Sequence, residues 1–205
     1  MAVRVVLALA VAAATAAGCG SGEAEADPIE LVHSIHEPWQ AEPFAVEQAL
    51  VARAETACRD MKIGGPQAQM NPPLVAVDAR GGSRLFLIGA QGNTETECLV
   101  DVDASGAAMM SIGGATSGGE AFGPLDPGAV TIVSGSSGGG PPALASVVGR
   151  AGPGVARVVV TLGDGRPVVA TLTRAGWYAA WWPGATGYAS ATAYDGAGAQ
   201  TGTAR

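Results

Sequence analysis

The fold of this protein is set by residues 74–103, which read LVAVDARGGSRLFLIGAQGNTETECLVDVD. Apolar runs at 74–79 and 84–89 lie on either side of a Gly-Gly pair, a pattern typical of an antiparallel hairpin. Apolar and polar residues then alternate over 97–103, as expected of a strand with one buried face. With a turn and a further strand at 107–112, this segment predicts a four-stranded antiparallel meander.

A helix is predicted directly upstream of the meander, over residues 43–62. Its apolar side chains recur at steps of three or four, its alanines favour helix, and Gly64 follows its end. Cys58 lies near the end of this helix, and Cys98 lies on a strand of the meander. The helix and the meander together predict a first module over residues 43–133.

Cys58 and Cys98 are interpreted as a disulfide, because an even pair of cysteines outside the cytoplasm usually forms one. Closing the loop between them would contribute about 4 kcal/mol by restricting the unfolded chain. A metal site is the alternative, but the two histidines of the chain, His33 and His36, lie in the N-terminal region. Since a zinc site takes three or four protein ligands, we predict no metal site and a solvated turn around the histidines.

Residues 144–205 predict a second, aromatic-rich β module. Two strand patterns flank Gly163-Asp-Gly165, which is a strong hairpin signal, and further strand patterns follow at 177–182 and 188–194. We expect this module to pack on the first one or to form a small antiparallel sandwich. The Gly, Ser and Pro residues of 134–143 predict a flexible linker, with a long loop inside one domain as the alternative. The fold class expected is therefore α+β, mainly β.

Residues 1–18 have the features of a secretory signal peptide: Arg4 near the start, a short apolar run and a small-residue exit. The exit, Ala16-Ala-Gly-Cys19-Gly, resembles the bacterial lipobox, in which the cysteine is diacylated and becomes the mature N-terminus. The resemblance implies lipidation of Cys19 and attachment to the extracytoplasmic face of the cell membrane. An ordinary signal peptide cut nearby is the alternative. Residues 19–42 are acidic and polar, and we interpret them as the lipid anchor and a tether.

Two further segments resemble parts of secreted or membrane-anchored actinobacterial proteins. They are Val75-Ala-Val-Asp-Ala-Arg-Gly-Gly82, between the two paired cysteines, and Gly176-Trp-Tyr-Ala-Ala-Trp-Trp-Pro-Gly184. Some similar stretches occur in the extracytoplasmic parts of proteins that resemble anti-sigma regulators. The shared motifs are structural, so the resemblance implies no active-site residues.

The charge balance argues against one large class of function. The chain carries 18 acidic and 11 basic residues, with a net charge of −7. Because nucleic-acid binding needs clustered basic residues that neutralise phosphates, we predict no nucleic-acid partner. The glycine-rich stretches also lack the Gly-Lys-Ser/Thr of a phosphate loop, since Lys62 is the single lysine, and we predict no cofactor.

No catalytic residue is predicted either. Asp101 and Asp103 point the same way on their strand, and such a carboxylate pair could serve as general acid and base. We favour a simpler interpretation, the solvent-facing side of a half-buried strand. Ser134, Ser136 and Ser137 lie among glycines without a nearby base to activate a nucleophile, so they are assigned to the linker.

Six of the ten aromatic residues fall between positions 177 and 194. On a strand Trp177 and Trp181 share one face, while Tyr178 and Trp182 share the other. One pair should be core, and the other pair could be exposed and stack on sugar rings or dock a partner. We favour burial of both pairs between two layers, because a small β module with few other large residues needs them as core. These four residues are the predicted binding residues.

Together these observations predict a non-enzymatic cell-envelope lipoprotein with a ligand-binding, partner-binding or structural role. Its expected partners are the membrane, through the N-terminal lipid, and an envelope protein or glycan. Two alternatives remain open. The first is a regulatory or sensory partner of a membrane protein, which would expose an apolar patch around Trp182. The second is a secreted hydrolase of unfamiliar type that uses Asp101 or Asp103.

Overall fold

The computed structural model describes residues 35–60, 72–106, 108–117, 122–138 and 143–205. The predicted signal peptide, Cys19, His33 and the first part of the predicted tether lie outside the described residues. So do residues 139–142 of the predicted linker. No helix within the described ranges is long and apolar enough to cross a membrane.

The described residues form one helix and twelve strands. The helix, α1, covers Gln48–Arg59. The strands are β1 Leu74–Ala79, β2 Arg84–Gln91, β3 Thr94–Val102, β4 Ala108–Ser117, β5 Val130–Gly138, β6 Leu144–Ala151, β7 Arg157–Leu162, β8 Pro167–Val169, β9 Thr171–Leu172, β10 Trp177–Pro183, β11 Tyr188–Tyr194 and β12 Gln200–Ala204.

The strands form three sheets of four strands each, and the pairs between neighbours are antiparallel. The first sheet is the predicted meander, in the order β1-β2-β3-β4. The second sheet has the order β5-β6-β10-β9, and the third has the order β12-β11-β7-β8. Since the chain alternates between the second and third sheets, these two form a sandwich. The prediction of an α+β, mainly β fold with a sandwich-like second part is confirmed.

Three apolar cores separate four layers. The first core lies between α1 and one face of the first sheet, and it contains Leu50 and Leu87. The second core lies between the other face of the first sheet and the second sheet, and it contains Phe86 and Trp181. The third core lies between the second and third sheets and contains Trp182. The second sheet is therefore covered on both faces.

The predicted disulfide between Cys58 and Cys98 is confirmed. The two Cα atoms are 6.2 Å apart, and both residues are buried in the first core. The bond joins the end of α1 to the middle of β3. It therefore fixes the helix on the face of the first sheet that points away from the second.

The prediction of a linker is wrong for residues 134–138, which continue strand β5 and pair with β6. Gly135 is a packing residue: a Cβ atom added there would lie 2.3 Å from Cε1 of Tyr188. Gly135 is therefore explained by the close approach of a neighbouring side chain and not by flexibility. The boundary between the meander and the sandwich lies between β4 and β5, upstream of the predicted linker.

The prediction of a free tether is wrong for residues 35–42. We call residues 35–46 the N-terminal strap, because they lie along the edge of the molecule and bind it through their backbone. The carbonyl of Ile35 accepts a hydrogen bond from the amide of Ser83 at 2.8 Å, and the carbonyl of Glu37 accepts one from Gly82 at 2.6 Å. Ile35 itself is buried in the first core.

The strap also explains why α1 begins at Gln48 and not at 43, as predicted. The amide of Phe44 donates to the carbonyl of Ala79 at 3.0 Å, so this part of the chain follows the end of β1 as an extended segment. Gly81, with φ at +82°, allows the contact, because a Cβ atom there would lie 2.4 Å from the carbonyl oxygen of Glu37.

Candidate functional site

All four predicted aromatic binding residues are buried. Tyr178 and Trp182 face the third sheet, and Trp177 and Trp181 face the first sheet. The hypothesis that one pair is exposed is therefore wrong, and the favoured interpretation, burial of both pairs, is confirmed. The physical reason is the position of β10 inside the second sheet, which has an apolar layer on each face.

Trp177 is the one of these four that lies beside an open site. A pocket of about 400 Å³ opens at one end of the second sheet, between the turns at 152–155 and 173–176. Arg150 and Arg174 contribute the charge of its lining. Among the described residues that line the pocket, none is acidic.

Arg150 stands at the end of β6, directly opposite Trp177 in the strand register. Its guanidinium carbon lies 5.5 Å from the centre of the Trp177 ring, within the range of a cation–π contact. Phe122 supports the same ring edge-on, at 5.2 Å between centroids. One terminal nitrogen of Arg150 donates to the carbonyl of Gly123, whereas its buried Nε has no hydrogen-bond partner. The Arg150 side chain is therefore held in place, and its guanidinium group has further N–H donors that make no hydrogen bond with the described residues.

Arg174 is exposed in the turn between β9 and β10 and forms no hydrogen bond or ion pair with the described residues. Most other arginines of the described structure are different, because they face a carboxylate. Ion pairs join Arg59 to Glu55, Arg80 to Asp78, Arg84 to Asp101, Arg157 to Glu42 and Arg166 to Asp164. The pocket thus brings together two arginines without a carboxylate partner, in a chain of net charge −7.

This arrangement can bind an oxyanion. A guanidinium group offers several N–H donors in one plane, which match the oxygens of a carboxylate or a phosphate. The volume of the pocket lies in the range of small-ligand sites, near its lower end. The nearby backbone turns are rich in glycine and proline, so a ligand can approach them closely.

A second polar cluster lies between the first and second sheets, and we call it the carboxylate–serine cluster. Glu95 and Glu97 of β3 point to the second sheet, where Ser134 and Ser136 of β5 and Ser146 of β6 face them. The Glu97 carboxylate accepts hydrogen bonds from Ser134 at 2.5 Å and from Ser146 at 3.1 Å. The hydroxyls of Ser136 and Ser146 are 2.7 Å apart.

Glu95 is the unusual member of this cluster. The residue is 0% exposed, and neither of its carboxylate oxygens has a hydrogen-bond partner among the described residues. Burial raises the pKa of Glu95 to about 8, and the neighbouring charge of Glu97 adds to the increase, whereas the nearby hydroxyl of Ser134 opposes it. Burial also raises the pKa of Glu97, although hydrogen bonds from Ser134 and Ser146 oppose the shift. A carboxyl group without any partner is a rare and costly feature of a protein interior.

A third cluster is a buried ion pair. The Nε atom of Arg80 donates to the Asp78 carboxylate at 2.6 Å, and both side chains are fully buried. Asp78 also accepts from the Thr171 hydroxyl at 2.6 Å and from the backbone amide of Trp181 at 3.2 Å. Burial raises the pKa of Asp78, while Arg80 and these two donors lower it. Arg80 further donates to the carbonyls of Ala41 and Val169, which ties the strap to the sheets.

Asp101 and Asp103, the carboxylate pair considered as a possible acid and base, do not form a joint site. Asp101 accepts a hydrogen bond from Arg84 at 2.7 Å, whereas Asp103 accepts from the amide of Ser105 at 2.9 Å and so closes a turn. Nδ1 of His36 lies 3.0 Å from the Ser83 hydroxyl. Within the described ranges there is no group of three or more His, Cys, Asp or Glu residues that could hold a metal ion.

The sequence reasoning missed Arg150, Arg174 and Glu95. One signal was available for Glu95: counting back by two from the apolar Leu99 places both Glu97 and Glu95 on the inward face of β3. No comparable signal marks the two arginines, because they lie 24 positions apart and meet only through the β6–β10 pairing. Comparisons found no protein family, no curated protein and no solved structure that matches this chain.

Proposed function

We propose that this protein is a non-enzymatic lipoprotein of the cell envelope, anchored through Cys19 on the extracytoplasmic face. Its body binds a carboxylate- or phosphate-bearing envelope ligand of about the size of a monosaccharide in the pocket of Arg150 and Arg174. The main observation in support of a binding role is that one pocket contains two arginines without carboxylate partners among the described residues.

The disulfide supports the proposed compartment. Stable structural disulfides occur mainly in secreted and envelope proteins, because the cytosol keeps thiols reduced. Here the bond between Cys58 and Cys98 lies inside an apolar core, where it has a structural role. This agrees with the lipobox-like sequence around Cys19 and with export of the chain.

The carboxylates support a binding role in preference to hydrolysis. A hydrolase would need an acid and a base that reach substrate together. Asp101 and Asp103 have separate partners, and Asp78 and Glu95 are sealed between sheets. A docking role for Trp182 has less support as well, since its side chain is fully buried in the third core.

The anchor is tested by measuring the intact mass of the protein from native membranes, before and after reduction and alkylation. We expect a diacylglyceryl mass on a chain that begins at Cys19, with Cys58 and Cys98 alkylated only after reduction. Cys19→Ser should release the protein from the membrane fraction. An unlipidated chain with freely alkylated thiols would contradict the proposed compartment.

The ligand is tested by calorimetric titration of the full-length protein with glucuronate, with glycerol phosphate and with neutral glucose. We expect one of the two anions to bind and glucose not to bind, and the stronger anion identifies the ligand class. Arg174→Gln should lower the affinity about tenfold or more, the usual effect of a lost charged hydrogen bond. Arg166→Gln is the matched control, because this exposed arginine is paired with Asp164. Equal binding by both variants would rule out the pocket.

A further inference from the structure

The carboxylate–serine cluster holds two carboxyl groups and no basic side chain among the described residues. Glu95 and Glu97 lie two residues apart on β3 and point to the same side. Neither is paired with a basic side chain in the described structure. Glu95 is completely buried, and neither of its oxygens has a hydrogen-bond partner within the described ranges. An isolated carboxylate in an interior costs several kcal/mol unless a proton or a cation neutralises it.

Serine hydroxyls lie around the carboxylate of Glu97, two residues from Glu95 on the same strand. Ser134 lies 2.5 Å from one oxygen of Glu97, Ser146 lies 3.1 Å from the other, and Ser136 lies 2.7 Å from Ser146. Two carboxylates and three hydroxyls form an all-oxygen donor set.

We propose that the carboxylate–serine cluster is a divalent cation site, with Ca²⁺ as the ion that it prefers. Glu95 and Glu97 are the charged ligands, and the hydroxyls of Ser134 and Ser146 complete the inner part of the site. The two positive charges of the ion balance the two carboxylates. The bound ion joins β3 of the first sheet to β5 and β6 of the second.

The preference for Ca²⁺ follows from the chemistry of the donors. All of them are oxygens, and the site has neither the thiolate nor the imidazole ligands that favour zinc and copper. Mg²⁺ requires near-ideal octahedral geometry and usually keeps several waters, which a position as buried as that of Glu95 accommodates poorly. Ca²⁺ accepts six to eight oxygens in irregular geometry.

This inference goes beyond the proposed function, since it needs neither the lipid anchor nor the arginine pocket. It can be tested by calorimetry on the full-length protein after EDTA treatment, with CaCl₂ and MgCl₂ at constant NaCl. We expect one Ca²⁺ per chain, with a Kd in the range of about 10⁻⁴–10⁻³ M that is common in extracellular modules. At about tenfold excess over Kd, the melting temperature should rise by about 3–6 °C.

Glu95→Gln is the main variant, because it keeps the shape of the side chain and removes its charge. It should lower Ca²⁺ affinity at least tenfold and abolish the rise in melting temperature. Ser134→Ala is the second variant and should weaken binding by a smaller factor. Asp101→Asn is the matched control: it lies on the same strand, is partly exposed and pairs with Arg84, so its Ca²⁺ binding should equal that of the wild type.

The proposal is overturned if the wild type shows neither heat nor a shift in melting temperature up to 10-fold above the weakest expected Kd, about 10⁻² M Ca²⁺. It is also overturned if Glu95→Gln binds Ca²⁺ as well as the wild type does. Tighter binding of Mg²⁺ than of Ca²⁺ would contradict the assignment of the ion. Loss of ligand binding at Arg174 leaves all of these readouts unaffected, so the two proposals fail separately.

Discussion

Asp78 and Glu95 are both completely buried on the same face of the first sheet, yet their surroundings are opposite. Asp78 has an arginine, a hydroxyl and a backbone amide as donors. In the part of the chain that the structure describes, Glu95 has no hydrogen-bond partner, and a second carboxylate lies nearby. A buried carboxylate that is fully paired is part of the framework, whereas one that is unpaired marks a place where an ion or a proton must supply the balance.

The position of each group in the sheet fits this difference. Asp78 belongs to β1, and through Arg80 it joins the first sheet, the strap and β8. Glu95 lies on β3, two residues from Glu97, with the serines of the second sheet opposite. The Asp78–Arg80 ion pair connects three parts of the chain. The carboxylate–serine cluster instead has carboxylate oxygens that can still bind an ion or a proton.

The largest effect is expected from breaking the buried ion pair of Asp78 and Arg80. Arg80→Met should lower the free energy of unfolding by about 3–5 kcal/mol, because Asp78 would remain as a buried charge without its counterion. Urea denaturation at pH 7 measures the loss. The double variant Asp78→Leu/Arg80→Met is the control and should recover part of it, since no unpaired charge remains. If Arg80→Met lowered the free energy of unfolding by less than about 1 kcal/mol, the ion pair would not be important for stability.

The second-largest effect concerns the free energy of unfolding of metal-free protein, which should depend on pH through Glu95 of the carboxylate–serine cluster. The pKa of Glu95 is about 8 in the folded state, whereas its ordinary value, which applies to the unfolded chain, is 4.5. Between these two pH values the folded protein keeps a proton that the unfolded chain releases. Its contribution to stability is complete below pH 4.5 and is lost as the pH rises to about 8. The loss amounts to about 1 kcal/mol per pH unit.

Glu95→Gln should therefore flatten the pH profile between these limits and make the protein more stable than the wild type at pH 8.5. Urea denaturation in EDTA, at several pH values from 5 to 8.5, measures both results. Asp101→Asn should leave the profile nearly unchanged, because this carboxylate is partly exposed and paired with Arg84. Parallel profiles for the wild type and Glu95→Gln would show that Glu95 does not retain its proton.

A smaller effect is expected from the serine that binds Glu97. Ser134→Ala removes the 2.5 Å hydrogen bond and should lower stability by about 1–2 kcal/mol at neutral pH. Ser137→Ala is the control, since this exposed neighbour lies on the same strand. Denaturation curves measured side by side decide the result, and equal loss in both variants would contradict a specific role for Ser134.

The smallest effect is expected at the open pocket. Arg174→Gln should change the free energy of unfolding by no more than about 0.5 kcal/mol, because this exposed side chain contacts no described partner. Thermal denaturation checks this result. A large loss would show that Arg174 is part of the framework, and the binding experiment would then need a different variant.

Much of the fold could be predicted from local patterns. Alternation and the Gly-Gly turn place β1 and β2 within two residues of their observed bounds, because a strand with one buried face repeats every two residues. The pairing of Cys58 with Cys98 was equally accessible, since the chain offers few alternatives. The ends of α1 were less predictable, because hydrogen bonds of the strap to Ala79 decide where the helix starts.

The candidate sites could not be predicted in the same way. Ser134 looked like linker, and only its pairing with β6 brings it opposite Glu97. Arg150 and Arg174 meet because β6 and β10 are neighbours although β7, β8 and β9 separate them in sequence. Contacts of this kind depend on the order of strands in a sheet, and local sequence carries little information about that order.

By itself the sequence determined the class of the fold, the disulfide and the strand pattern of the meander, because turns and side-chain periodicity are local properties. The tertiary structure alone decided that β10 lies between two layers, so that Trp177 and Trp182 fill different cores. It also decided that Asp78 is paired and Glu95 is not. The physical reason is that burial and pairing depend on which distant elements come together. The free energy of a buried charge is therefore set by the groups that these elements place next to it.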